Sequence, residues 1–226
     1  MSANQLLANR TDAGRRLADE LMHLRDSHPL VLGLPRGGIP VAAEVAEALN
    51  APLEPMFVNK IGAPRQEELA LGAIADGPHP QLVLNEEIMS RLPPDSTYIR
   101  AQMDQKLEEI RHRRARYLGE RSLSDPAGRT VILVDDGIAT GSTAKAALAV
   151  LRKANLAWLV LSVPVLPAQS LKEFQSLADE LVFLSAPICF GSVGEHYQSF
   201  RQVSDAQVIN LLNRHAASPS INEPDL

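Results

Sequence analysis

Hydrophobic residues in this chain fall in short unbroken runs, separated by longer stretches where they recur at helical spacing. Leu30-Val-Leu-Gly-Leu34 and Val131-Ile-Leu-Val134 lack the alternation of a half-exposed strand. They predict strands buried on both faces. Further strands are expected at 53–58, 157–165 and 180–184. The segment 11–22 opens on the capping residue Thr11 and places Leu17, Leu21 and Leu24 on one helical face. Residues 41–49, 144–151, 168–177 and 205–213 also read as helices. Residues 97–117 form a long charged helix with sparse apolar positions, Ile99, Met103, Leu107 and Ile110. Residues 69–75 and 81–84 flank Asp76-Gly77-Pro78 and predict a hairpin. The stretch 60–68, with Gly62 and Pro64, reads as a polar loop, and 122–128 as a turn-rich connector. The chain is irregular after Pro187 until the last helix, and 215–226 reads as a flexible tail.

Strands alternating with helices predict an α/β fold, an open and mainly parallel sheet flanked by helices. One domain is expected over 1–214. Its core spans 30–184, and residues 1–28 and 187–214 supply a small cap, or hood, over the strand ends.

The candidate chemistry sits where the strand at 131–134 stops. Asp135 and Asp136 end it, a loop of small and hydroxyl residues follows, and a helix begins at Ala144. Ligands of open α/β sheets bind at the carboxyl ends of strands. A small-residue loop entering a helix presents free backbone amides and a positive dipole end, which suit a phosphate. Two adjacent carboxylates repel a bare phosphate, so they are expected to meet sugar hydroxyls or a bound cation. The three parts together describe a sugar-phosphate site. An apolar run ending in two acids also occurs in ATPases, but the phosphate loop with its Gly-Lys-Ser/Thr ending is missing.

Residues 131–143 resemble the binding signature for phosphoribosyl pyrophosphate (PRPP) in type I phosphoribosyltransferases. There, four hydrophobic residues precede two acidic ones and a Thr-Gly loop. The overall pattern is similar to a bacterial subgroup of predicted phosphoribosyltransferases. The resemblance implies Mg²⁺-dependent transfer of the 5-phosphoribosyl group of PRPP to a nitrogenous base, with release of pyrophosphate. Gly137, Ile138, Ala139, Thr140, Gly141, Ser142 and Thr143 would hold the 5-phosphate. Asp135 and Asp136 would bind the ribose hydroxyls, with magnesium held through PRPP and water and no direct protein ligand assigned. Upstream, Leu34-Pro-Arg-Gly-Gly-Ile-Pro40 resembles the family's pyrophosphate loop. Arg36, Gly37 and Gly38, with Lys60 at the end of the second strand, would receive the leaving group. Asp135, Asp136, Arg36 and Lys60 are the catalytic candidates. The segment from Ile61 to Glu68, with Arg65, resembles the start of a flexible loop that closes over the reaction.

One departure bears on the acceptor. Ala139 stands where the family's hypoxanthine and guanine enzymes usually carry an acid. That argues against those bases and leaves adenine, uracil or a substrate outside salvage open. Phe190 and Tyr197 are candidates for stacking a flat base, whereas Phe200 reads more readily as pinning the segment to the core.

Composition acts mainly by exclusion. The net charge of −5 argues against a general nucleic-acid binder. The basic run 111–116 shares its helix with Glu108 and Glu109, whose spacing pairs them with His112 and Arg113 as a solvated face. Cys189, the one cysteine, excludes an intrachain disulfide and reads as a packing residue. A cytoplasmic location is expected. The six histidines show no metal-ligand spacing. The N-terminus lacks signal-peptide features, and the longest apolar run, 156–168, is too short to span a membrane. Two alternatives to the transferase are a non-catalytic PRPP sensor of nucleotide metabolism and, less favoured, an enzyme acting on another phosphorylated sugar. Oligomeric state is open, with a homodimer as the default.

Overall fold

A computed structural model describes residues 6–64, 66–75, 81–85, 89–90 and 95–215. Five parallel strands form the main sheet: β1 (Leu30–Gly33), β2 (Leu53–Pro55), β6 (Thr130–Val134), β7 (Trp158–Val165) and β8 (Glu180–Ser185). Their order is β2-β1-β6-β7-β8. Three antiparallel strands, β3 (Val58–Ala63), β4 (Gln66–Ala75) and β5 (Gln81–Leu84), form a second sheet. The helices are α1 (Arg10–Leu21), α2 (Gly38–Leu49), α3 (Ser96–Leu118), α4 (Ser142–Leu151), α5 (Leu171–Leu177) and α6 (Asp205–Arg214).

Both faces of the main sheet are covered, which explains the unbroken apolar runs. Along β6, Ile132 and Val134 face a core built with α1, α2 and α6, while Val131 and Leu133 face a second core with α4 and Phe174 of α5. The chain moves one way from β1 to β2 and the other way from β6 to β7 and β8. The strand order therefore reverses between β1 and β6, and a crevice opens there at the carboxyl ends. The loops after these two strands carry the candidate residues.

Several expectations change. The run 53–58 is not one strand. β2 stops at Pro55, and β3 begins at Val58 in the other sheet. Buried Met56 and Phe57 keep the run apolar across that break. Lys60 therefore lies within β3, not at a strand end. The stretch 60–68, expected as a loop, supplies paired strands, with Ala63 opposite Gln66. Arg65 and residues 76–80 lie outside the described residues. β4 and β5 do pair antiparallel, as the hairpin requires. Asn9, not Thr11, caps α1: its side chain accepts from the Asp12 amide. Cys189 is exposed rather than packed. Helix α1 buries Leu17 and Leu21 against the sheet-covering core, so only its first turn reaches the strand ends. The segment before α1 is stitched to the C-terminal segment by Leu7 N–H to His196 O (3.0 Å) and Gln198 N–H to Leu7 O (2.8 Å). Among the described residues, no helix is long and apolar enough to cross a membrane.

Candidate functional site

The acid pair is built by the end of β6. Leu34 N–H donates to Val134 O at 2.9 Å, tying the β1 loop to β6 just before the acids. The Asp136 amide donates to Asp135 Oδ1 at 2.9 Å. The loop then turns over glycines at positive φ, Gly137 at 147° and Gly141 at 72°, a region that L side chains rarely adopt. Gly141 is the N-cap of α4, and a Cβ there would lie 2.5 Å from Cζ of Phe174. Ala139, Thr140 and Thr143 are exposed. The first amides of α4 have no intrahelical acceptor. Ser142 and Thr140 place their hydroxyls 3.5 Å apart beside them.

The loop after β1 presses on the acids from the other side. A Cβ on Gly37 would stand 2.0 Å from Asp136 Oδ2, and one on Gly38 2.7 Å from Val134 O. Only glycine permits that approach. Gly38 opens α2, so the positive end of that helix adjoins the Asp135 carboxyl. The Pro35–Arg36 peptide is cis.

Burial pushes the Asp135 carboxyl well above the usual range, and the neighbouring Asp136 pushes it further. Burial also raises Asp136, but Arg10 opposes the shift. Arg10 comes from the first residue of α1. Its Nε and Nη2 donate to Asp136 Oδ2 at 2.8 and 2.7 Å, and its Nη1 to the Arg201 carbonyl at 2.7 Å. The guanidinium lies 3.9 Å over the Phe200 ring. The Tyr197 hydroxyl donates to the Asp136 carbonyl at 2.6 Å. Burial and the nearby Asp136 hold the Tyr197 phenol above its usual value, so it remains a donor.

Arg10 is the residue that sequence reasoning missed. It lies 126 positions from its partner, and nothing in 10–21 beyond ordinary helix signals marks it. The aromatic residues also sort differently from expectation. Tyr197 is buried, its hydroxyl taken by the loop. Phe190 stacks on His196, with ring centroids 5.2 Å apart. Phe200 is 36% exposed and lines a cavity of about 510 Å³ with Arg10, Arg36, Gly37, Asp136 and Gln202.

Lys60 lies elsewhere. It lines a separate cavity of about 240 Å³ with Pro35, Asn59, Arg113 and Thr143. The structure thus brings Arg36 and Gly37 to the acid pair and sets Lys60 on the far side of the β1 loop. Glu109 and Arg113 attract each other as expected: burial pushes the Glu109 carboxyl up, but Lys106, helped by Arg113, holds it below its usual value. The hydrogen bonds go elsewhere: the Glu109 carboxylate accepts from Lys106 at 2.9 Å, and Arg113 Nη2 donates to Asn59 Oδ1. The expected His112–Glu108 contact is present at 3.2 Å.

Two adjacent, largely buried carboxylates, of which only Asp136 is paired with the Arg10 guanidinium, suit a hard divalent cation that brings its own oxygen ligands. Among the described residues, no group of three or more His, Cys, Asp or Glu is arranged to hold a metal alone.

The phosphoribosyl transferase domain family matches residues 2–183. This chain belongs to that family. Proteins from two Mycobacterium tuberculosis strains, each named "Putative phosphoribosyl transferase", are 43% identical over 211 residues. The match covers 93% of this chain and 47% of each relative, so the chain spans about half the length of these curated relatives. A crystal structure of TT1426 from Thermus thermophilus superposes with a TM-score of 0.85 at 38% identity, covering 94% of this chain and all of that one. The main-sheet architecture is thus that of the phosphoribosyltransferase fold.

Proposed function

We propose that this phosphoribosyltransferase-family chain transfers the 5-phosphoribosyl group of PRPP to a nitrogenous base and releases pyrophosphate, with Mg²⁺ as cofactor. The observation that carries this reading is the buried Asp135–Asp136 pair at the strand-order reversal, directly before an open amide-rich loop that enters α4. In this reading the amides and hydroxyls of 137–143 hold the 5-phosphate. Asp135 and Asp136 accept hydrogen bonds from the ribose hydroxyls and oppose the positive charge that grows on the ring as the glycosidic C–O bond breaks. The Gly37 and Gly38 backbone, with Arg36, receives the leaving pyrophosphate. Lys60 adds positive charge from across the β1 loop. Magnesium would be held mainly by substrate oxygens and water beside Asp135 and Asp136, and would supply charge neutralisation of the leaving group. Positioning and electrostatics provide most of the acceleration.

The acceptor enters through the cavity of about 510 Å³ lined by Phe200, Arg10 and Gln202, which adjoins Asp136. Phe200, not Phe190 or Tyr197, offers the ring there. The test is pyrophosphate release from PRPP and Mg²⁺ across a panel of nitrogenous bases. Release with one base supports the transferase. Binding of PRPP without release under any base supports the sensor.

A further inference from the structure

We infer that the cavity between β3, the β1 loop and α3 is a phosphoryl-group site, and that Arg113 is its second cation. The inference rests on the phosphoribosyl transfer proposed above and adds a residue to it. The described residues lining this cavity of about 240 Å³ include two cations, Lys60 and Arg113, and no carboxylate. The larger cavity, by contrast, contains Asp136. Thr143, in the first turn of the ten-residue helix α4, contributes a hydroxyl near free backbone amides. Asn59 holds Arg113 in place. Its Nδ2 donates to the Lys106 carbonyl at 3.2 Å and to Glu109 Oε2 at 3.3 Å, which turns its Oδ1 toward the guanidinium. That bond uses one of five guanidinium N–H donors. A planar fork, a point-charge ammonium and a hydroxyl lining one cavity match the several oxygens of a phosphoryl group better than the two of a carboxylate.

The walls decide which phosphoryl groups qualify. Pro35 belongs to the loop assigned to pyrophosphate, and Thr143 to the loop assigned to the 5-phosphate. Both groups belong to one substrate, and binding separates them. Wild type, Arg113→Ala and Arg113→Lys would each be titrated calorimetrically with magnesium pyrophosphate and, separately, with ribose 5-phosphate. Arg113→Ala is expected to weaken one ligand by roughly tenfold or more and to leave the other within about twofold, as loss of a charged hydrogen bond does. Arg113→Lys recovers part of the loss. Loss of pyrophosphate affinity assigns the cavity to the leaving group; loss of ribose 5-phosphate affinity assigns it to the sugar phosphate. Equal weakening of both with a lowered melting temperature, or weakening of neither, overturns the inference. If wild type binds neither ligand nor PRPP, the proposed transfer fails. Inorganic phosphate then judges the cavity alone: Arg113-dependent binding keeps the inference, and its absence overturns it.

Discussion

The two cavities flanking the β1 loop differ in charge, and the difference divides the work of the site. The larger one mixes signs, with Asp136 paired to Arg10, and with Arg36, itself 3.7 Å from Asp205, and has an aromatic ring. The smaller one has cations without a carboxylate among its described lining residues. Burial raises both acids beside the first cavity, so that side gains most from hydroxyl donors and a bound cation. The second side gains from an anion. A magnesium-bound sugar phosphate brings both kinds of group at once. The loop at 35–37 is the wall between them, with Pro35 on one side and Arg36 and Gly37 on the other.

Breaking that wall should have the largest effect. Gly37→Ala forces a Cβ against the Asp136 carboxylate, 2.0 Å away before any shift. Turnover should fall on the order of 100-fold through misplacement of the acid, with the far-UV circular dichroism spectrum unchanged. Full activity would mean that the wall is soft. Removing the cation from the mixed side comes next. Arg10 and Asp136 are 12% and 15% exposed, so Arg10→Ala strands a mostly buried carboxylate. Urea unfolding should show a loss of about 3 kcal/mol. A change indistinguishable from zero would remove Arg10 as the counter-ion. The smallest effect sharpens the charge argument through pH. A carboxyl raised in the folded state makes the folded protein bind more protons than the unfolded chain. Asp135 therefore lowers ligand-free stability as pH rises from the usual carboxylate range through its raised value. Asp135→Asn keeps an acceptor for the Asp136 amide and removes that slope. It should be more stable than wild type at neutral pH and not at about pH 4, near the ordinary carboxylate range, the urea midpoint being the readout. The opposite order would show that Asp135 is stabilised in its charged form.

Much of the main sheet was legible because parallel strands buried on both faces leave unbroken apolar runs. Val131–Val134 is the clearest, and the acids and loop after it follow the expected strand–loop–helix order. The second sheet was less legible. Met56 and Phe57 are buried between two strands of different sheets, so no polar residue marks the departure at Pro55. Gly62 and Pro64 suggested a loop, whereas β3 absorbs its irregularity as register shifts at Gly62. Contacts made across long sequence separations leave no local pattern. Arg10 with Asp136 and Arg113 with Asn59 are of that kind. Phe200, read as pinning its segment, does pack on buried Tyr197, with ring centroids 4.9 Å apart, and it also meets Arg10, a contact that the irregular stretch 187–204 does not announce.

The most direct test is calorimetric titration of PRPP with and without Mg²⁺ on wild type and on the Asp135→Asn/Asp136→Asn double variant. Magnesium-dependent binding by wild type, lost in a double variant that remains folded, is the expected result. No binding by wild type up to about a millimolar, weaker than roughly −4 kcal/mol, would contradict the assignment, as would undiminished binding by the double variant.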